Sequence, residues 1–266
     1  MERDIFCADL TALLRETIDN GTEQPLIVTP TASLVPPLVE LATDGAADGV
    51  RLFTGHEASK WFKDQVPIAT RLADAVATGT DGPVRYLPAE LDATLLIIPD
   101  GVVVVTQTET GVAGLVPDET LTRELTDLYE SAFENAEQAL FRAPPRTAML
   151  ELVSSSLGEA VADDVGAILT ALEDVETVSL SEASGAFVLA GARHGSEQYR
   201  VRQTMEDVGF ASQATVSRRK SKLEAAGVVE THALQTNVGR PREELALTDA
   251  FVDATPTELA DVLSDA

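Results

Sequence analysis

The spacing of apolar residues along the first 145 residues changes repeatedly between the period of a helix and that of a strand. Helical spacing over residues 3–18 predicts an opening helix, which Asn20-Gly21 would end. Strands are predicted at 25–29, 49–54 and 84–87, with helices between them at 33–42 and 57–78, the latter interrupted by Pro67. Strands separated by helices are typical of parallel βαβ packing with right-handed crossovers.

The pattern then changes to that of an antiparallel meander. Two apolar runs, 94–98 and 102–106, flank the turn signal Pro99-Asp100-Gly101, and a further strand is predicted over 111–116. A long amphipathic helix over 119–141 closes this part of the chain. Its apolar face would pack onto the sheet or, given spacings of four, three and four, form a dimer seam. The sequence therefore predicts an α/β domain with a mixed sheet over residues 1–145.

A second domain is predicted after the proline-containing stretch 142–146. Residues 147–172 have helical spacing, which the serines at 154–156 and Gly158 would split, and residues 146–180 are interpreted as a helical connector. Helices follow at 181–193, 201–208 and 212–226, with Gly209-Phe210 as a turn and Gly227 as the final stop. Two apolar strands around Gly239-Arg240-Pro241-Arg242 form a predicted hairpin. This order predicts an α+β winged helix-turn-helix over residues 181–266.

The third of these helices has the layout of a recognition helix. Val216 and Leu223 would face the core, while polar and basic residues would occupy the opposite face. Early polar side chains would reach base edges, later basic ones would contact phosphates, and the two arginines of the hairpin tip would bind phosphates or the minor groove. The predicted DNA-contacting residues are Ser212, Gln213, Thr215, Ser217, Arg218, Arg219, Lys222, Arg240 and Arg242.

Composition at first argues against nucleic acid, because the formal net charge is −25. However, residues 193–242 contain nine basic and five acidic residues, a net charge of +4, whereas the remainder contains ten basic and 39 acidic residues, a net charge of −29. Only four of the 19 basic residues are lysines. Acidic, lysine-poor composition is expected of a protein adapted to concentrated cytoplasmic salt, which screens charge over about 3 Å.

Other functional classes find little support in the sequence. One cysteine, Cys7, excludes an internal disulfide and a cysteine-based metal cluster, and no histidine has a partner at ligand spacing. No apolar run is long enough to span a bilayer, and residues 1–25 lack the features of a signal peptide, so we expect a cytoplasmic protein without metal or cofactor.

Two strand-to-helix junctions of the first domain could bind a small ligand. In parallel-strand folds, ligands collect at the carboxyl ends of strands, where helix N-termini present free N–H groups. The junctions 29–33 and 54–57 are rich in hydroxyl groups, which a phosphorylated sugar would require; ordinary helix capping would use the same side chains. The candidate ligand-binding residues are Thr29, Thr31, Ser33, Thr54, Gly55 and His56.

The run ASQATVSRRKSKLEAAGVVETHALQTNVGRPREELAL, residues 211–247, is very similar to the closing segment of haloarchaeal winged-helix transcriptional regulators of the TbsP type. The first half resembles the effector domain of sugar-responsive TrmB regulators, a phospholipase-D-like βα sandwich, although it lacks the His-x-Lys motif of phospholipase D. The resemblance implies a dimeric regulator of central carbon metabolism genes, with base and phosphate contacts over Ser212–Lys222. Glu243-Glu244 departs from the more basic wing that the resemblance implies.

The leading hypothesis is a metabolite-modulated transcriptional regulator that binds double-stranded DNA as a homodimer. Two alternatives remain open at this point: an enzyme acting on phosphoesters with an appended winged-helix module, and a protein-interaction scaffold. The sequence shows no nucleophile–base pair or metal-binding set of residues that the enzyme alternative would require. The operator, the effector and the sign of regulation do not follow from the sequence.

Overall fold

The computed structural model describes residues 5–18, 22–28, 32–43, 47–55, 60, 62–76, 83–87, 93–99, 101–108, 111–116, 118–139, 143–234 and 242–265. The chain divides into two compact units. The N-terminal unit comprises Met1–Phe62 and Arg71–Arg142, and the C-terminal unit comprises Lys63–Thr70 and Ala143–Ala266. No helix in the described ranges is long and apolar enough to cross a membrane.

The N-terminal unit is built on a seven-stranded sheet. Its strands and the small pair beside it are β1 (Ile5–Cys7), β2 (Thr22–Glu23), β3 (Leu26–Val28), β4 (Ala47–Asp48), β5 (Arg51–Thr54), β6 (Val84–Tyr86), β7 (Thr94–Ile98), β8 (Gly101–Thr108) and β9 (Gly111–Leu115). The order in the large sheet is β1-β9-β8-β7-β3-β5-β6, and β2 pairs with β4. Strands β3, β5 and β6 are parallel, whereas β3–β7, β7–β8, β8–β9 and β9–β1 are antiparallel. The predicted mixed sheet is confirmed.

Within the described ranges, four helices of eight or more residues accompany these strands. They are α1 (Leu10–Thr17), α2 (Val35–Thr43) after a 3₁₀ turn at Ala32–Leu34, α3 (Val66–Ala75) and α4 (Glu119–Asn135). Residues 62–64 are also helical, and the break at Gln65 before α3 agrees with the predicted interruption near Pro67. Proline is tolerated in the first turn of α3 because that turn has no internal use for its N–H groups.

Two predicted boundaries in this unit are wrong. The helix predicted over 3–18 begins only at Leu10, because Asp9 caps it by accepting a hydrogen bond from the N–H of Ala12 at 2.8 Å. The preceding Ile5–Cys7 instead pairs with β9 as an edge strand. The helix predicted over 119–141 ends at Asn135, since residues 137–139 bond to the free edge of β6, as in Tyr86 N–H to Glu137 O at 2.9 Å.

The inner face of α4 packs on the sheet through Phe133, which is 3% exposed. Its ring meets that of Phe53 edge to face, with 5.7 Å between centroids, and the guanidinium of Arg51 lies 5.4 Å from its centroid. Arg51 also makes a bidentate ion pair with Glu130, at 2.7 and 2.8 Å. Sheet packing therefore accounts for this face, whereas Leu121 and Leu128 are 45% and 58% exposed.

The C-terminal unit is mainly helical. Its elements are α5 (Arg146–Leu157), α6 (Glu159–Ala171), α7 (Leu180–Arg193), α8 (Gln198–Asp207), α9 (Gln213–Ala225), β10 (Val229–Leu234), β11 (Arg242–Leu247) and α10 (Pro256–Asp265), with a 3₁₀ turn at Leu172–Asp174. The predicted split at Gly158 is confirmed. Residues 146–180 share one apolar core with the helices that follow, and ten consecutive residues of α7, Ala183–Ala192, are buried at its centre.

A short upstream segment completes this unit. The N–H of Val66 donates to Val178 O at 3.1 Å, and the N–H of Val178 donates to Asp64 O at 2.7 Å. Arg146, 7% exposed, donates to Pro67 O and to Thr70 Oγ1 and forms an ion pair with Glu173 at 2.6 Å. Residues 63–70 therefore belong to this unit through backbone hydrogen bonds and through a buried arginine whose donors are satisfied.

The aromatic contact under α4 gives a test of the N-terminal fold. We expect Phe133→Ala to lower the free energy of opening of this unit by about 3–5 kcal/mol, because it removes a buried ring and leaves a cavity. Glu134→Ala on the same helix should change it by less than about 0.5 kcal/mol, because that side chain is exposed. Amide hydrogen exchange of β3 and β5 measures both, and equal effects would contradict the packing described.

Candidate nucleic-acid interface

Three helices of the C-terminal unit form a helix-turn-helix. The first, α7, starts with a capping box in which Ser179 and Glu182 bond to each other's backbone N–H. The second, α8, ends in a tight turn at Gly209, whose φ of 69° favours glycine. Phe210 then turns into the core, 4.9 Å from the ring of Phe187. The turn fixes the direction in which α9 leaves it.

Ser212 is the N-cap of α9, as predicted. Its side chain accepts a hydrogen bond from the N–H of Thr215 at 3.3 Å, and its hydroxyl lies 3.0 Å from that of Thr215. The helix ends where Gly227 adopts a φ of 70°. The predicted bounds of this helix are confirmed to within one residue at each end.

One face of α9 is exposed over three turns. Val216 and Leu223 are 2% and 0% exposed and face the core. The exposed positions are Ala214, Arg218, Ser221, Lys222 and Ala225. We call this exposed face the reading face. Its other residues are small, so the two basic side chains protrude from it, and the face is narrow and positively charged.

The predicted contact residues Arg218 and Lys222 lie on the reading face. The Nε of Arg218 donates to Ala214 O of its own helix at 3.2 Å. Within the described part of the chain, neither residue forms an ion pair with a carboxylate, in contrast to the other described basic side chain of the helix surface, Lys220, which pairs with Glu224 at 2.9 Å. Arg218 and Lys222 are therefore available to an anionic partner.

Three other predicted contact residues lie at the border of the reading face, where each is half-buried: Gln213, Thr215 and Ser217. The amide nitrogen of Gln213 donates to the carboxylate of Glu206 at the end of α8. The hydroxyl of Ser217 donates to Gln213 O at 2.8 Å and accepts from Arg202 at 3.5 Å. These bonds connect the two polar side chains to α8.

The prediction that Arg219 lies on the exposed face is wrong. This side chain is 1% exposed and donates from Nη2 to Leu263 O of α10 at 3.1 Å. Its position three residues after Val216 and four before Leu223 places it on the core side of α9. Burial lowers the pKa of its guanidinium, and the charge of Glu182 acts in the opposite direction.

The hairpin beyond α9 consists of β10 and β11, paired antiparallel from Val229–Leu247 to Leu234–Arg242. The two predicted wing strands are confirmed. Arg242 is exposed and forms an ion pair with Glu197 at 3.0 Å, so it shares its charge with a carboxylate before α8. Arg240 lies outside the described residues. Of the two acids that follow Arg242, Glu244 forms a backbone bridge with Glu197.

A side-chain contact joins α9 to the hairpin. Thr231 of β10 donates to the carboxylate of Glu224 at 2.6 Å, and Lys220 contacts the same group. Partial burial acts to raise the pKa of Glu224, but the hydrogen bonds from Thr231 and Lys220 and the charge of Lys220 outweigh it and hold this pKa below its ordinary value. The folded state therefore stabilises the ionised form of Glu224.

Sequence reasoning missed two features of this unit. Ser221, Ala214 and Ala225 complete the reading face. A four-residue step back from Arg218 gives Ala214, and three-residue steps forward from Arg218 and Lys222 give Ser221 and Ala225. Helix α10 was missed entirely, although Thr255-Pro256-Thr257-Glu258 is a capping-box signature. In the structure the N–H of Thr255 donates to Glu258 at 2.7 Å, and Leu259 and Leu263 are fully buried.

The predicted ligand residues of the N-terminal unit are only partly placed. Thr29, Thr31 and His56 lie outside the described residues. The prediction that Thr54 binds a ligand is wrong, because its side chain is 0% exposed and its hydroxyl donates to Gly55 O at 3.4 Å. Gly55 is also buried, whereas Ser33 is exposed in the 3₁₀ turn before α2. Among the described residues no group of three side chains could hold a metal ion.

Comparison with known protein families agrees with this division of the chain. Residues 2–144 match the family model described as transcriptional regulator TbsP-like, N-terminal. Residues 145–264 match the model described as transcriptional regulator TbsP-like, C-terminal HTH domain. Searches of curated proteins and of solved structures gave no significant match.

The contact between Glu224 and Thr231 predicts a pH dependence. Because the folded state favours the ionised carboxylate, the contact stabilises the unit above the ordinary carboxyl pKa and is lost as the pH falls through the lowered value. We expect Thr231→Val to raise the pKa of Glu224, as measured by carboxyl-carbon NMR titration. Thr248→Val, which removes a hydroxyl bonded to Gly227 O instead, should leave it unchanged. An identical titration of Glu224 in the two variants would contradict the assignment.

Proposed function

Since this chain belongs to the family of TbsP-like transcriptional regulators, we propose that it binds double-stranded DNA by inserting α9 into the major groove. The observation that carries this proposal is the reading face, on which Arg218 and Lys222 are exposed and unpaired by described carboxylates. A major groove about 12 Å wide admits one α-helix with its side chains. The reading face is narrow enough to enter it.

The contacts divide by chemistry along the helix. Gln213, with Ser212 and Thr215 beside it, lies in the first turn and would contact base edges, where amides and hydroxyls can donate and accept. Arg218 and Lys222 come later and would contact phosphates, which fixes the helix in the groove without reading sequence. Ser217 lies between the two groups and would contact either a base edge or a phosphate.

The hairpin would add a second contact. Arg242 is 64% exposed at its side chain, and we propose that it and Arg240 bind the backbone or the minor groove beside the reading face. Glu197 holds Arg242 in the absence of DNA, so phosphate binding exchanges one anionic partner for another. The hairpin of β10 and β11 would therefore add less to the affinity for DNA than two unpaired arginines would.

The composition suits this activity in concentrated salt. A chain with 44 acidic residues and a formal net charge of −25 repels DNA at low ionic strength, but salt shortens the range of this repulsion to about 3 Å at 1 M. The same salt weakens phosphate attraction. We propose that the protein works in a salt-rich, haloarchaeal cytoplasm and that base contacts contribute a large share of its affinity.

The N-terminal unit would control this binding. We propose that the protein is a homodimer on a palindromic site, with the exposed Leu121 and Leu128, seven residues apart on α4, in the interface. A sugar or sugar phosphate would bind near Thr29, Thr31, Ser33 and His56, and its target genes would be those of central carbon metabolism. The TrmB-like character proposed for this unit rests on the sequence resemblance alone.

Removing the exposed cations of α9 tests the proposal. We expect Arg218→Ala and Lys222→Ala each to reduce the slope of log K against log salt by about 0.9, because each releases about one counterion fewer from the duplex. Arg15→Ala, which removes an exposed cation paired with Glu40 in the N-terminal unit, should leave the slope unchanged. Fluorescence anisotropy with a duplex selected from a random library measures this.

The outcome that contradicts the proposal is also defined. If the double variant Arg218→Ala/Lys222→Ala bound that duplex with the affinity and salt slope of the wild-type protein, α9 would not be the DNA-contacting element. A wild-type protein that enriched no duplex from the library would reject DNA binding as a whole.

The effector proposal needs a separate test. A panel of sugar phosphates added to the protein–DNA complex should contain a compound that changes DNA affinity by about 5–150-fold, the usual range of allosteric coupling. We expect Ser33→Ala or His56→Ala to weaken this response without changing DNA affinity in the absence of the compound. Ser155→Ala, which removes a hydroxyl bonded within α5, should respond like wild type. An unresponsive complex throughout the panel would reject this class of effector.

A further inference from the structure

Arg219 is a charged residue inside the helix proposed to contact DNA. It is 1% exposed, and its Nη2 donates to Leu263 O at 3.1 Å. Its Nε is buried and has no hydrogen-bond partner among the described residues. Burying a guanidinium whose donors are incompletely satisfied opposes folding. An aliphatic side chain would fill the same space without that cost, so the guanidinium is not explained by packing.

The surrounding helices leave a channel for this side chain. A Cβ atom at Gly185 of α7 would lie 3.0 Å from Nε of Arg219 and 2.3 Å from Cδ2 of Leu263. A larger residue at this position would therefore require the side chains of Leu263 and Arg219 to shift. The close approach joins three helices, α7, α9 and α10, at one point.

The acceptor belongs to a helix end that favours a positive charge. Leu263 lies in the last turn of α10 (Pro256–Asp265), where carbonyl groups lack partners within the helix and carry partial negative charge. Helix α10 is itself held in place, since Thr255 and Glu258 cap its start and Leu259 and Leu263 are fully buried. Arg219 thus binds α9 to an element that is fixed independently.

Apolar packing alone does not fix how a helix is rotated. Val216 and Leu223 could slide against their neighbours through small rotations of α9, because dispersion contacts have little directionality. A hydrogen bond from a guanidinium, in contrast, has a preferred distance and angle. Adjacent residues are separated by a fixed angle of about 100° around the helix axis. Any rotation of α9 that moves Arg219 therefore moves Arg218 through the same angle.

We propose that Arg219 is a positioning residue for base recognition: its bond to the last turn of α10 sets the rotation of α9, and thereby the direction in which Gln213 and Ser217 face the bases. This inference rests on the DNA binding proposed above. It makes α10, which does not carry the reading face, part of the machinery of specificity. It also separates the adjacent arginines by role, with Arg218 as a contact and Arg219 as a positioning residue.

The experiment compares Arg219→Met with wild type on the selected duplex and on its single-base variants. Methionine keeps the apolar stem and removes the charge. We expect the affinity ratio between the selected duplex and its variants to fall roughly fivefold or more at the positions under Gln213 and Ser217, the discrimination expected from a misaligned base contact. The salt slope should stay that of wild type, because no phosphate contact is lost.

Controls separate positioning from folding and from direct contact. An affinity ratio does not depend on the fraction of folded protein, so simple destabilisation would leave it unchanged. Arg218→Met should instead lower the salt slope by about 0.9. Arg219→Lys retains a donor and should recover part of the lost discrimination; it also serves as the test variant if Arg219→Met does not fold.

Two results would overturn the inference. One is an Arg219→Met protein with the discrimination of wild type, which would make the residue purely structural. The other is a salt slope reduced by about 0.9, which would make Arg219 a phosphate contact. Failure of the wild-type protein to select any duplex would instead reject the proposed DNA binding, which is a different result.

Discussion

The burial of the ten central residues of α7 is the constraint on which the C-terminal unit depends. Ten consecutive residues, Ala183–Ala192, are inaccessible, so the helix must be covered on every side. Helices α6, α9 and α10 and strand β11 provide that cover. Small residues such as Gly185 and Gly191 keep α7 narrow, and a Cβ at Gly191 would lie 2.8 Å from Val201 of α8. One face of α9 packs against α7, and the opposite face remains exposed as the reading face.

Pairing within the unit decides which basic residues remain available. Arg193, Lys220 and Arg242 are engaged by Asp164, Glu224 and Glu197. A basic segment counted on the sequence therefore overstates the charge that the surface presents. What distinguishes Arg218 and Lys222 is their location on a helix face whose neighbouring positions are alanine and serine.

Sequence reasoning predicted what depends on local chemistry. The cap at Ser212, the turn at Gly209 and the mixed character of the sheet follow from residues close together in the chain. It failed where distant residues decide the outcome: Ile5–Cys7 is a strand because β9 needs a partner, and Arg219 is buried because α10 supplies an acceptor 44 residues later. The helical period places Arg219 on the core side of α9, between Val216 and Leu223, but the polarity of arginine argues for exposure. The acceptor on α10, which the local sequence does not reveal, decides between the two.

The charge balance and the buried arginine bear on the same physical problem. Concentrated salt removes most of the attraction between a protein and phosphates, since the counterions that DNA would release gain little entropy. Affinity must then come from contacts that depend on orientation, and these lose strength with small rotations of the recognition helix. A directional bond from Arg219 to a separately capped helix limits such rotation without adding exposed charge. An acidic protein that makes few phosphate contacts therefore needs a recognition helix whose orientation is fixed.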